Sequence, residues 1–230
     1  MHHVKSIKIM KATKKYELSN ETIKIDGITL YRIKALKDFS DVKAGDLGGW
    51  VEKEDNLSQM GDAWVYENAE VYGNAKVHGD AEIYRNAKVF GNAKIYGNAE
   101  VFGNAEIYGN AVISGNAKVF DNAQVYGDAI VYDNARVFGN AKVCQGALVC
   151  GNAHVLGDAM VRCGADYIIF KNFWSSGRFF TWTRSNNMWK VGCFYGTGEE
   201  LIEKAYKDSA KSGKEYERVV RYVDSILANK

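Results

Sequence analysis

Between Val65 and Asp166 an apolar branched residue and an alanine recur every six positions, with no insertion or deletion. Typical units are Val-Tyr-Gly-Asn-Ala-Lys at 71–76 and Ile-Tyr-Gly-Asn-Ala-Glu at 95–100. Val or Ile opens all 17 hexads and Ala stands fifth in all 17. The alanine and the Val or Ile two residues later point to the same side of an extended strand, which makes that side the interior. The intervening Gly-Asn or Gly-Asp pairs are the residues that enter left-handed backbone cheaply, as a corner every six residues requires. Three such sides close a triangle of 18 residues, so the repeat predicts a solenoid of nearly six coils, about 27 Å long at the usual strand spacing. An α-helix is excluded, because its apolar period is near 3.6 and Gly-Asn in every unit breaks it.

The pattern changes at both ends. Residues 14–36 alternate around Asp26-Gly27, which predicts a β-hairpin. Residues 42–64 lead into the coil through Gly48-Gly49, with Val51 and Leu57 as the first inward positions. Residues 1–9 read as an extension before a native start at Met10. After Asp166, the turn signals Ser175-Ser176-Gly177 and Ser185-Asn186-Asn187 predict a small antiparallel sheet. Thr197-Gly198-Glu199-Glu200 has the chemistry of a helix start. One helix is expected over 198–211, a break near Ser212-Gly213, and a second helix over 214–228. The chain therefore divides into an N-terminal cap (1–50), the repeat (51–166) and an α+β cap (167–230).

Composition adds limits. With 47% hydrophobic and 25% charged residues the chain is neither disordered nor collagen-like. Its start lacks the apolar run of a secretory signal, so a cytoplasmic location is expected, and no apolar stretch suits a membrane span. The net charge of +2 conceals an uneven distribution: residues 51–166 carry 9 basic and 15 acidic side chains, whereas 167–195 carry Lys171, Arg178, Arg184 and Lys190 and no acid. An acidic shaft without a basic stripe disfavours nucleic acid. The four cysteines show no metal-ligand or redox spacing.

The repeat resembles the hexapeptide-repeat superfamily, and that resemblance implies a left-handed parallel β-helix and a homotrimer. A closer likeness is to small phage and prophage hexapeptide proteins. It rests on Lys15-Tyr16-Glu17-Leu18, Ile28-Thr29-Leu30-Tyr31-Arg32-Ile33, Ala44-Gly45-Asp46-Leu47-Gly48-Gly49-Trp50-Val51 and Val191-Gly192-Cys193-Phe194-Tyr195-Gly196-Thr197. Such proteins are often named as transferases, and the acyltransferases among hexapeptide proteins need a basic imidazole between subunits and a groove for coenzyme A.

Within the repeat only His78 and His154 offer an imidazole. Three-fold counting sets them on different faces about four coils apart, so no shared metal is expected. His154 is the better base, with Arg136 one coil below. The ladder Val112, Ile130 and Leu148 is an apolar outward face suited to a trimer contact. The densest recognition signal is 167–195, where ten aromatics accompany four basic residues and no acid. There Arg178, Arg184 and Lys190 are expected to hold an anion, and Trp182 and Trp189 to stack on a planar ring. The leading expectation is a non-catalytic phage-type trimer that binds or sequesters a small anionic, nucleotide-like ligand, such as a defence signal, with no cofactor and no metal. The alternatives are an acyltransferase using His154, and a structural or protein-binding rod.

Overall fold

The structure is a computed structural model and describes residues 14–228; the extension expected over 1–9 and the start expected at Met10 lie outside the described residues. The protein is mainly β, a parallel solenoid of about six turns followed by a small antiparallel sheet and two helices. Each hexad contributes a two-residue rung such as Lys76–Val77 or Glu82–Ile83. The rungs stack on three faces, whose inward columns begin at Val71, Val65 and Val77 respectively. Every inward Ala, Val and Ile from Ala69 to Val161 is at most 1% exposed. The inward positions of the repeat are thus filled by Ala, Val and Ile alone, small enough to pack the triangle without a gap or a polar atom.

Adjacent coils are joined by backbone bonds of one direction: Lys76 N–H donates to Ala93 C=O at 2.9 Å and Phe102 N–H to Val119 C=O at 3.0 Å. The corners hold Asn ladders, for instance Asn92 to Asn110 (3.0 Å) and Asn104 to Asn122 (3.1 Å). Gly109 shows what the corner requires. Its φ is +71°, and a Cβ there would lie 2.8 Å from the nitrogen of Gly127. Asp121 and Gln145 occupy the same slot at φ 60° and 58°, so the slot needs left-handed backbone rather than glycine alone. Outward rings stack in columns, as Phe102, Phe120 and Phe138 do at centroid spacings of 4.7–4.8 Å.

One-directional bonding leaves the two ends chemically unlike. The first coil presents bare carbonyls, and the N-terminal segment supplies donors. Lys15 Nζ donates to Ala63 C=O (2.7 Å) and Gly61 C=O (3.2 Å), Tyr16 OH to Leu57 C=O (2.7 Å), and Asn56 Nδ2 to Ala75 C=O (2.9 Å). The hairpin of β1 (Tyr16–Ile25) and β2 (Ile28–Ala35) is not a separate lid. It pairs antiparallel with β3 (Leu47–Val51), which runs parallel to Glu70–Val71, so hairpin and solenoid face form one sheet of nine strands. The last coil presents bare N–H groups, and the C-terminal segment supplies acceptors: Thr181 Oγ1 for His154 N–H (2.9 Å), Ser185 Oγ for Met160 N–H (2.6 Å) and Asp166 Oδ2 for Arg162 N–H (2.7 Å).

Strands Tyr167–Lys171, Phe179–Thr183, Met188–Val191 and Phe194–Gly196 form the antiparallel sheet. Helices α1 (Gly198–Asp208) and α2 (Ala210–Ala228) cover its far side. Thr197 caps α1 as its hydroxyl predicts, and the Glu200 side chain accepts a bond in return from the Thr197 N–H. The helix break differs from expectation: it falls at Ser209, and Gly213 lies inside α2. Gly213 is there for packing, since a Cβ would meet the Tyr206 ring at 2.3 Å. On the third face, Ile130 and Leu148 are 37% and 42% exposed in register with Val112.

Candidate functional site

Period-two alternation decides which side chains of the C-terminal sheet reach the solenoid. Thr181 lies opposite Lys190, and Lys190 opposite Tyr195. Thr181 bonds the last coil through His154 N–H, and Tyr195 OH donates to Leu156 C=O at 3.4 Å. Tyr195 fits only because Gly157 lies beneath it; a Cβ there would be 2.0 Å from the hydroxyl. This parity therefore faces the solenoid. The other parity, including Phe180, Trp182, Trp189 and Val191, packs against the helices.

Trp182 and Trp189, expected to stack a ligand, are thus on the opposite side of the sheet from Lys190 and are 1% and 2% exposed. Trp182 Nε1 donates to Asn187 Oδ1 at 2.8 Å, and Trp189 packs against Phe170 and Phe180. Neither ring has a face open to a ligand. Ten aromatics in this segment serve mostly a domain core, because the sheet and helices enclose a second apolar cluster distinct from the solenoid's. Arg184 is partly exposed, with its Nε buried and without a hydrogen-bond partner. Arg178 lies in a small cleft beside α1. The five expected binding residues therefore do not converge.

What does converge is His154, Arg136 and Lys190. Arg136 is the register partner of His154 one coil below. The Phe138 ring meets the imidazole edge-on at 6.3 Å and 75°. Burial, followed by the positive charges of Arg136 and Lys190, pushes the imidazole down to about 4. At neutral pH it is an uncharged ring beside two cations, and neither Arg136 nor Lys190 has an ion-pair partner among the described residues. An anion beside these cations would raise the imidazole's basicity. Thr181 was not singled out from the sequence. Its signal was available, because it is the residue opposite Lys190 and of the parity that faces the shaft.

His78 is exposed and stacks on Tyr96 at 5.1 Å and 9°, as a member of an outward ring column. Among the described residues no group of three or more His, Cys, Asp or Glu is arranged to hold a metal, and no helix is long and apolar enough to cross a membrane.

The state of His154 predicts a pH dependence. The unfolded imidazole binds a proton as pH falls through about 6.5, whereas the folded one waits until about 4, so acid favours unfolding across that window. The unscreened shift corresponds to about 3 kcal/mol, which water reaching the partly exposed ring reduces to about 1–2 kcal/mol. His154→Gln is expected to lose less stability than the parent between pH 7 and pH 4.5 by that amount, read from parallel urea titrations. Equal losses would show that the ring is not held uncharged.

Comparison with known proteins gives two partial likenesses. A family model described as the YdcK beta solenoid repeat matches residues 123–137, one rung on each of the three faces and ending with Arg136 and Val137. The chain is also 40% identical over 73 residues to a protein of Escherichia coli (strain K12) named "Uncharacterized acetyltransferase YdcK". That similarity covers 28% of this chain and 22% of the relative's length. Both likenesses support a hexapeptide-repeat solenoid.

Proposed function

We propose that the protein transfers acyl groups, with His154 as the base and Arg136 and Lys190 as the anchor for an anionic donor. The observation that carries this reading is the uncharged imidazole set between two unpaired cations where the shaft meets the C-terminal sheet. The name of the E. coli relative supports it over sequestration. An acyl coenzyme A would supply the activated carbonyl and the phosphates. The imidazole would take the proton of an attacking hydroxyl or amine and return it to the departing thiolate, its low basicity raised when phosphate offsets Arg136 and Lys190. A trimer through the exposed Ile130 and Leu148 ladder is part of the reading, as is a cytoplasmic setting.

The second reading is phage-type sequestration of a nucleotide-like anion without turnover. It is favoured by the two cations beside a ring that burial, first of all, keeps weakly basic. Acetyl coenzyme A with a panel of hydroxyl and amine acceptors, and calorimetry with cyclic and linear nucleotides, separate the two. Transfer is expected, with His154→Gln lowering kcat/KM by about 10²–10⁴, and sedimentation of the same samples reads the oligomer. Heat with a nucleotide and no transfer from any acceptor would reverse the assignment.

A further inference from the structure

The cleft beside α1 lies on the helix side of the C-terminal sheet, away from His154. Its floor is Val191 and Leu201, 3% and 1% exposed, and Tyr216 also lines it. Three charged side chains line the same cleft: Arg178, Lys204 and Asp208. All three are exposed, and none of these side chains has a hydrogen bond or ion pair among the described residues, not even with one another. Charges of both signs thus share one cleft without satisfying each other.

Arg178 is positioned rather than free. The adjoining Gly192 has φ +55°, and a Cβ there would stand 3.2 Å from Arg178 Cδ, so the arginine stem lies across the bare glycine. The loop behind it is tied down, with Asn172 N–H donating to Arg178 C=O at 2.7 Å and the buried Asn172 side chain bonded to Ser175 and Ser176. The open cleft has a volume of about 60 Å³, room for about four to six water-sized groups. That suits the four carbons of an isobutyl group, with polar ends left at the rim.

We propose that this cleft binds a small zwitterion with an apolar tail, the chemistry of a branched-chain amino acid. Arg178 takes the carboxylate in the two-pronged geometry a guanidinium favours, with Lys204 adding charge. Asp208 takes the ammonium, and the tail lies on Val191 and Leu201. Recognition here is independent of His154, so its failure leaves the acyl-transfer reading untouched.

Cys193 lines the cleft and is exposed, which makes it a reporter; exposed Cys163, outside the cleft, is the reference. In the full-length chain, millimolar leucine is expected to slow alkylation of Cys193 and not of Cys163, as read by peptide mass spectrometry. Arg178→Met and Asp208→Asn should each weaken that protection about tenfold or more, and isovalerate or isoamylamine should fall short of leucine by a similar factor. All the altered side chains are exposed, and unchanged thermal transitions would confirm that the variants fold. An unchanged Cys193 rate with leucine, or equal protection in Arg178→Met, would overturn the site. Isovalerate matching leucine together with a silent Asp208→Asn would overturn the zwitterion.

Discussion

Val119→Lys is expected to abolish the fold, while removal of the lysine one residue earlier is expected to pass almost unnoticed. Val119 is fully buried between Val101 and Val137 on its face, in a stretch of the core lined by Ala, Val and Ile. An ammonium there finds no acceptor, because the neighbouring carbonyls are committed to coil-to-coil bonds. Stranding it costs several kcal/mol even if it sheds its proton, and the larger stem overfills a triangle packed with Ala, Val and Ile. Each coil contacts only its neighbours, so a broken coil uncouples the halves on either side. Against a total of about 5–15 kcal/mol the loss is decisive. Lys118 instead points outward to Glu100 at 2.6 Å, a partly exposed pair whose loss costs about 1 kcal/mol or less. Expression as insoluble protein, or loss of a cooperative unfolding transition, is the expected readout for Val119→Lys, set against a near-parental midpoint for Lys118→Ala. A cooperative Val119→Lys transition near the parent's would contradict the assigned interior.

The second large effect is expected at Lys15. Its side chain is 1% exposed, donates to Gly61 and Ala63 carbonyls, and lies 5.1 Å from the centre of the Phe39 ring. Lys15→Met keeps the stem but strips the donor from the buried Ala63 carbonyl, at the end where all such dipoles point outward; the Gly61 carbonyl can turn to water. The expected cost is about 1–3 kcal/mol, the penalty of one buried acceptor left without a donor. Desolvation lowers the Lys15 ammonium to about 8. Between that point and its unfolded value near 10.5 the unfolded chain holds more protons, so rising pH favours the folded state. The neutral amine still donates to both carbonyls, so the gap between parent and Lys15→Met should widen from pH 8 to pH 10 in denaturant titrations. A gap that narrows would mean that the ammonium, not the donor, secures this end.

Much of this architecture was legible because the repeat allows one geometry. The strict Val or Ile and Ala positions specify the three faces, and Asp26-Gly27 marks the hairpin, with φ 50° and 83° at its tip. The two ends were harder. Lysine is nearly always exposed, so nothing at Lys15 announced a buried cap; its role appears only once the direction of the coil-to-coil bonds is known. The helix break was misplaced because Gly213 reads as a breaker, whereas a glycine pressed against Tyr206 serves contact. At the site, residue type pointed to Trp182 and Trp189, and strand parity would have corrected it. Arg178 and Lys190 are of opposite fates for the same reason: one sits over the turn beside α1, the other on the strand surface facing His154.

Because every backbone bond between coils runs the same way, the shaft behaves as a ruler with two non-interchangeable fittings. Removing eighteen residues would shorten it by one storey and present an identical landing to each fitting. Removing six from the shaft below His154 would turn the upper fitting by a third of a revolution relative to the lower one, while His154, Thr181 and Lys190 moved together. Only whole storeys keep the two fittings in phase.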